Sequence, residues 1–378
     1  MRVVHSGAVN FKSGGPALST WLTIKGLRRL GVDAQVLAAP ISSDDKIISE
    51  KVNPIFTQNS ILPPFAYVPG LAKLLASLPL ADLYHIQGIW MMHGCQVARF
   101  AQKQSIPYVV TLRGMLYPQA LAHHSLQKRL SLAMYQRAVL RNASAIQCTC
   151  VEEMEHYRAL GFTNPGAIIP NPIEIEPLSA LNVPVNSAFR IGYLGRIHPR
   201  KRVERLIRAI HYLKSHNIAA ELVIIGSGDS DYEKLLRHEV EKLGLANEVR
   251  FAGFLTGKQK DEAIESLSLL VVPSDFENFG NIVTEALVHG VPVIASKGTP
   301  WQGLETHDCG WWVDNDQDSI NTAILRAHSV GNDILHKMGM NGRLWMQSDF
   351  SVEALGAKML ALYKYILGEG DKPEFVYE

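Results

Sequence analysis

Apolar runs of strand length alternate with segments of helical period along this chain, lapse near residue 173, and then resume. In the first half the strand-like runs are Met1–His5, Val32–Ala39, Leu83–Gln87, Tyr108–Leu112 and Ala145–Cys150, with a short one at Ile168–Ile169. Between them Ala17–Leu30, Ala66–Leu78, Met92–Gln104, Ser125–Arg141 and Glu152–Leu160 carry helical spacing. Ile173 to Ala188 holds Pro177 and Pro184 and has little period, so it reads as a linker. The strands then resume at Arg190–Tyr193, Ala220–Ile225, Val249–Phe251, Leu267–Val272 and Val291–Ser296. Helical segments again fall between and after them: Val203–Ser215, Asp231–Leu243, Lys258–Glu265, Ser319–His328 and Asp333–Trp345. Parallel strands need a crossover, usually a helix, so this order predicts two α/β domains built on parallel sheets and facing one cleft. The boundaries expected are 1–172, a linker at 173–188, a second domain at 189–350, and a C-terminal helix and tail at 351–378. Ser351 is the expected N-cap of that last helix, Val352–Leu367, and the residues from Gly368 read as a polar tail.

Length and composition agree with that division. The 378 residues suit two domains of about 190 each, and 47% hydrophobic with 19% charged residues is ordinary for a globular protein. Net charge is +1, but residues 1–178 hold 16 Lys and Arg against 10 Asp and Glu, while residues 179–378 hold 21 against 26. No Asp or Glu occurs from Leu83 to Val151, a stretch with Arg99, Lys103, Arg113, Lys128, Arg129, Arg137 and Arg141. Such a stretch either meets an anionic surface or substrate or is a solvated basic face. Ser125–Arg141, basic and amphipathic, is the candidate for contact with an anionic membrane. Cys95, Cys148, Cys150 and Cys309 form no C-x-x-C pair and read as buried thiols. No apolar run reaches spanning length, and MRVVHSGAVNF lacks the apolar core of a signal peptide. Nothing points to nucleic acid as a partner.

Three loops carry chemistry. In Val271–Gly290 a strand is followed by a turn, a loop with Glu277 and Gly280, and a helix bearing Glu285. Gly280 lets a ligand approach the backbone, and the amides of Asn281, Ile282 and Val283 open the helix where phosphate oxygens are held. The same residues can also form a plain strand–turn–helix corner with two solvated carboxylates. The second loop, Gly195-Arg196-Ile197-His198-Pro199-Arg200-Lys201-Arg202, follows a strand and offers Arg196 as a fork and Lys201 as a point charge for a diphosphate. The third contains Gly14 and Gly15 at a helix start, without the G-x-G-x-x-G of a dinucleotide loop. Asp229-Ser230-Asp231 matches D-x-D, a metal-binding pattern, yet its place before a helix also suits N-capping. His85 at a strand end is either a site group or a core histidine.

Taken together, E-N-F-G-N-I-V-T-E-A, G-R-I-H-P-R-K, Gly14-Gly15-Pro16 and Ile169-Pro170-Asn171-Pro172 resemble the retaining glycosyltransferases of family 4. Thr111-Leu112-Arg113-Gly114-Met115-Leu116 is similar to members that build bacterial exopolysaccharide, capsule or O-antigen. The resemblance implies the GT-B fold, with two Rossmann-like domains and a C-terminal helix crossing back to the first. It implies a metal-independent cytoplasmic hexosyltransferase, taking a UDP- or GDP-sugar as substrate and using no cofactor, with peripheral contact to the inner membrane resting on Ser125–Arg141. Its acceptor would be a glycan or lipid-linked glycan. Arg196 and Lys201 would bind the donor diphosphate, Glu285 the ribose and Glu277 the sugar. The loop Asn278, Phe279, Gly280 and the amides of Asn281, Ile282 and Val283 would complete that site. Gly226 with Gly253, Phe254 and Leu255 would lie by the base, and Gly14 and Gly15 would close over the diphosphate. Two positions depart from the family. Arg202 stands where many members have glycine, so the local turn is expected to differ. Arg113 stands where many have histidine; it cannot act as a base at neutral pH and is expected to hold an acceptor or donor oxygen. The family favours front-face attack, although Glu277 could also attack the anomeric carbon as in retaining hydrolases. A sugar-nucleotide epimerase of similar shape and a non-catalytic nucleotide-sugar-binding module are the alternatives.

Overall fold

The computed structural model describes residues 1–7, 15–39, 54–62, 66–122, 125–175 and 189–378. The expected site residue Gly14 and linker residues 176–188 lie outside them. The chain forms two compact units, one of Met1–Glu174 with Phe350–Glu378 and the other of Ile175–Asp349.

Unit 1 holds β1 (Arg2–Ser6), β2 (Asp33–Ala38), β3 (Ile55–Phe56), β4 (Leu83–Gln87), β5 (Tyr108–Thr111), β6 (Ala145–Cys148) and β7 (Gly166–Ile168), in the order β7-β6-β5-β4-β1-β2-β3. All of these pairs are parallel. Unit 2 holds β8 (Phe189–Leu194), β9 (Ala220–Ile225), β10 (Val249–Gly253), β11 (Leu269–Val272), β12 (Val293–Ser296) and β13 (Gly310–Val313), in the parallel order β10-β9-β8-β11-β12-β13. In each sheet the chain winds outward one way and then the other. The switch falls between β1 and β4 in unit 1 and between β8 and β11 in unit 2, where ligand crevices form at the carboxyl ends.

The predicted alternation is present, with local corrections. β3 and β13 did not stand out as strands, because two residues carry no period and β13 reads Gly-Trp-Trp-Val after a polar turn. The tail is not simply polar: β14 (Val376–Tyr377) pairs antiparallel with β7, and Val376 is buried. Ser125–Arg141 is helical in three parts, with a π-helical stretch at Leu132–Gln136 between Ser125–Ser131 and Arg137–Arg141. The expected helix Ala66–Leu78 shortens to Leu71–Ser77, entered through Gly70 at φ 67°. No described helix is long and apolar enough to cross a membrane.

In unit 1 the last helix, Val352–Ile366, is capped by Ser351, whose hydroxyl accepts from the Ala354 amide at 3.2 Å. It packs on the helix Gly15–Arg29 at a glycine contact. A Cβ on Gly26 would lie 2.4 Å from the Val352 carbonyl oxygen, and one on Gly356 would meet the Gly26 backbone at 2.9 Å. Only glycine on both sides permits that approach.

Under this pair of helices the sheet carries a polar row rather than an apolar one. Gln147 Nε2 donates to the Ile169 carbonyl at 2.9 Å, so its Oε1 accepts from the Thr111 hydroxyl at 2.7 Å. Thr111 Oγ1 must therefore accept from His85 Nε2, at 2.7 Å, and His85 Nδ1 accepts from the Tyr363 hydroxyl at 2.5 Å. Every proton is placed only if His85 is neutral. Beside it, Gln87 accepts from Arg113 and donates to His5 Nδ1 at 3.2 Å, leaving His5 Nε2 buried with no partner among the described residues. Burial, with help from the Arg113 cation, lowers His5 to about 3 and holds His85 well below the ordinary histidine range. His85 is thus the core histidine of the two readings, and Tyr363 ties the C-terminal helix to the sheet.

Because the folded protein keeps these rings neutral while the unfolded chain protonates them near pH 6.5, acid favours unfolding. Stability is expected to fall as pH drops below about 6.5, with His5 alone removing about 1.4 kcal/mol by pH 5.5. Urea midpoints at pH 7.5 and 5.5 for the wild type and His5→Gln measure this; an equal drop in both would take His5 out of the account.

Candidate functional site

The most organised loops of unit 2 lie at its switch point. After β8 the chain is held close to the neighbouring strand: the Gly195 amide bonds Ile225 O at 2.9 Å, and Ile197 pairs with Gly228. The Tyr193 hydroxyl donates to Arg196 O at 2.8 Å and fixes the start of the basic loop. His198 Nδ1 accepts from the Arg200 amide at 3.2 Å and caps the short turn Pro199–Lys201. Arg202 closes the turn at φ 53°, in the left-handed region. Here arginine does what glycine does without strain, at a cost of roughly 1–2 kcal/mol. Its guanidinium bonds Asp275 at 2.6 Å, which offsets part of that. The expected departure in the turn is therefore accommodated by a side-chain tie.

The loop after β11 is fastened to this one. The Asp275 amide bonds Arg200 O at 2.9 Å, and Lys201 forms an ion pair with Glu277 Oε1. Both side chains of that pair are largely buried, 14% and 12% exposed. The fully buried Ser274 hydroxyl donates to the same Oε1 at 2.8 Å. The Glu277 amide bonds Gly298 O at 2.8 Å, beyond β12. Gly280 then takes φ 77° and turns the chain into the helix Asn281–Val288. The Val283 amide, expected to be open, is taken by Gly280 O at 2.9 Å; an N–H one turn into the helix bonds its own cap. Trp301, buried against Phe279 and Trp345, donates to the Phe279 carbonyl. At the other end of the helix the buried Arg343 donates to Val288 O, where a cation suits the helix dipole.

Of the remaining expected residues, Glu285 lies on that helix and pairs with Lys260 at 3.1 Å, both partly exposed. Ile282 occupies its first turn. Arg196 is exposed, and no side-chain bond of it occurs among the described residues. Gly226 and Gly253 are joined by a 2.7 Å backbone bond, and a Cβ on Gly226 would lie 1.9 Å from Gly195 O. Phe254 follows, 74% exposed, with Leu255 partly buried. Asp229 is the N-cap of the helix Ser230–Lys242, accepting from the Asp231 and Tyr232 amides at 3.1 and 3.0 Å, and those bonds lower its pKa. No cluster of three or more His, Cys, Asp or Glu groups suited to a metal occurs among the described residues.

Gly15 and Arg113 belong to unit 1. Gly15 opens the helix Gly15–Arg29. Arg113, at φ 56°, directs its guanidinium to Ser19 Oγ, Thr20 Oγ1 and Gln87 Oε1 at 2.6–2.8 Å. Burial lowers it to about 10, against the pull of Glu153, so it stays cationic at neutral pH. It lines a cavity of about 360 Å³ at the carboxyl ends of β1, β2, β4 and β5, walled by Leu37, Val68, Ile89 and Met115 among others.

Sequence reading missed Ser274, Lys260 and Trp301. Ser274 had a signal in S-x-x-E, a spacing that brings a hydroxyl to a carboxylate. Lys260 and Trp301 had none, since their partners come from other elements.

Both parts of the chain match family models. A family model described as glycosyl transferases group 1 matches residues 182–345, and a glycosyl transferase 4-like domain matches residues 14–172. An uncharacterized glycosyltransferase of Methanocaldococcus jannaschii is 36% identical over 143 residues, covering 37% of this chain and 35% of that protein. The phosphatidyl-myo-inositol mannosyltransferase of Mycobacterium leprae is 30% identical over 266 residues, 67% of this chain and 68% of that one. Over the first relatives matched, the aligned part spans between 35% and 57% of their length. Among solved structures, Anabaena HepE in complex with UDP and glucose superposes with a TM-score of 0.75 at 20% identity, covering 97% of this chain and 100% of that one.

The Lys201–Glu277 pair is expected to couple strongly. Lys201→Met should destabilise unit 2 by about 1–3 kcal/mol, since it strands a half-desolvated carboxylate, and Lys201→Met with Glu277→Leu should recover part of that. A double-mutant cycle on urea unfolding reads the coupling, and additive losses would refute it.

Proposed function

The chain belongs to the family-4-like glycosyltransferases of GT-B fold, and on that premise we propose that it moves a hexosyl group from a nucleotide sugar to a hydroxyl of a glycan or lipid-linked glycan. The reading includes retention at the anomeric carbon and a role in bacterial surface polysaccharide. The observation that carries it is the Lys201–Glu277 pair at the switch point of unit 2, with an uncommitted Arg196 on the same loop as Lys201. The complex of HepE with UDP and glucose supports a nucleotide-sugar donor.

Arg196 and Lys201 bind the diphosphate; an ammonium has three donors, so Lys201 can serve Glu277 and a phosphate together. Gly280 and the start of the helix Asn281–Val288 admit phosphate oxygens. Glu285, held by Lys260, accepts from ribose hydroxyls, and Glu277 accepts from a hydroxyl of the sugar. The bond from the anomeric carbon to the diphosphate breaks, with its electron pair leaving on the phosphate oxygen. The acceptor oxygen bonds the same face of that carbon, and its proton passes to the departing phosphate. Catalysis is then positioning plus stabilisation of charge growing on the diphosphate, which the two cations supply in the proposed metal-independent reaction.

Glu285→Ala and Lys201→Ala are each expected to lower kcat/KM for the donor at least tenfold, about 1.4 kcal/mol. The assay follows release of nucleoside diphosphate across UDP- and GDP-sugars, with EDTA expected to leave the rate unchanged. Wild-type values in both variants would overturn the site. Conversion of donor alone into another sugar nucleotide would favour the epimerase, and binding without turnover across a broad acceptor panel would favour the binding module.

We also propose peripheral attachment to the cytoplasmic face of an anionic inner membrane. On Ser125–Arg141, Leu126, Leu130 and Met134 project at helical spacing, the first 80% exposed, beside exposed Arg129 and Arg141. Apolar side chains flanked by cations suit an interface between headgroups and acyl chains. Binding to anionic vesicles should weaken with salt and fall severalfold in Leu126→Ser/Met134→Ser; equal binding to neutral vesicles would refute the electrostatic part.

A further inference from the structure

The geometry points to Ser274 as a positioning residue that fixes which oxygen of Glu277 meets the donor sugar. The inference rests on the donor reading above and adds to it an assignment at the level of single atoms.

Two donors, Lys201 Nζ and Ser274 Oγ, converge on Glu277 Oε1. No group among the described residues reaches Oε2, and that oxygen is not among the buried unpaired atoms, so it keeps solvent contact. The carboxylate is therefore held by one oxygen and presents the other. A carboxylate with a purely structural task looks different in the same protein. Glu153 is buried, and both of its oxygens are used: Oε1 by the Gly114 amide, and Oε2 by the Thr149 amide and hydroxyl at 2.6 and 3.0 Å.

Ser274 is itself immobilised. Its carbonyl accepts from Ser296 Oγ at 2.5 Å and from Asn315 Nδ2 at 3.2 Å, and its side chain has no exposure to solvent. Among the described residues the hydroxyl bonds one acceptor, Glu277 Oε1, and gives it its proton. This matters because Lys201 alone does not fix a carboxylate: an ammonium is a point charge and accepts either oxygen in many orientations. The short Ser274 side chain supplies the direction. When a diphosphate arrives and draws on Lys201, Ser274 remains as the contact that keeps Oε1 turned inward. An ionised carboxylate oxygen only accepts, so Oε2 selects a sugar with a hydroxyl at the facing position. A site of this kind rejects an analogue lacking that hydroxyl far more strongly than one that fits shape alone.

The test separates the nucleotide from the sugar. Affinities of UDP and GDP are measured by calorimetry, and turnover of UDP-glucose and GDP-mannose by nucleoside diphosphate release, in the wild type, Ser274→Ala and Ser274→Cys. Expected is nucleoside diphosphate affinity within twofold of wild type in both variants, with kcat/KM for the preferred sugar nucleotide lowered about tenfold in Ser274→Ala. Ser274→Cys, which keeps the volume with a weaker donor, should fall between. Discrimination against deoxy analogues of that sugar should shrink in the same order. Parallel loss of diphosphate affinity and turnover would make Ser274 merely structural and overturn the inference, as would unchanged turnover. A wild type that binds neither diphosphate nor either sugar nucleotide would instead refute the donor reading, and the two failures are told apart by the wild-type binding curve.

Discussion

The Lys201–Glu277 ion pair is the constraint on which the organisation of unit 2's switch point depends. Two loops leave adjacent strands, β8 and β11, and the first has only a single short turn, Pro199–Lys201, and one bridge to Gly228. They are joined by charge: Lys201 to Glu277, Arg202 to Asp275, with the Asp275 amide on Arg200 O. Leaving that carboxylate unpaired here would cost about 1–3 kcal/mol, and the pair offsets this while leaving the loops in one register. Asp275 is also reached by Asn315 from beyond β13, and Glu277 by Gly298 from beyond β12. Four strand ends are thereby tied to one short loop. Loops tied this way are held in place by the protein's own groups, with no ligand needed to order them.

The strand-and-helix order was legible in the sequence because parallel strands buried on both faces read as apolar runs and their crossovers as amphipathic helices. β4, β5 and β11 are buried at every position but one and were visible for that reason. What was not legible depends on partners far away in the chain. β14 is two residues long and exists only because β7 offers an open edge. The Gly26–Gly356 crossing needs two helices more than three hundred residues apart. The π-helical stretch in Ser125–Arg141 places buried Gln136 where its Oε1 accepts from the Trp90 amide, a contact no helical period announces.

The candidate site shows the same division. Glu277, Lys201, Glu285 and Gly280 were found from residue type and spacing along short segments. Sequence could not say that Lys201 and Glu277 touch, that Val283 spends its amide on Gly280, or that Glu285 is held by Lys260. Arg202 is instructive because residue type misled: a left-handed turn usually implies glycine, yet Arg202 takes it, held by the carboxylate of Asp275. A local rule was broken where an ion pair could offset the strain.

In unit 1 a single cation organises the polar layer. Arg113 is bonded by two hydroxyls and an amide oxygen, all neutral, and no carboxylate among the described residues bonds it directly. Its charge is therefore solvated by dipoles and offset only through space by Glu153, and the field extends to its surroundings. His5 and His85 register that field, since the cation adds to burial in keeping both neutral. The neutral state of His85 is in turn what lets Tyr363 donate to it and anchor the C-terminal helix. The charge that would serve an anionic or polar ligand at the carboxyl edge of the sheet is thus also a condition of the packing behind it. Removing it would disturb the hydrogen-bond order from Gln87 to His5, so at Arg113 stability and any binding role are set by the same guanidinium.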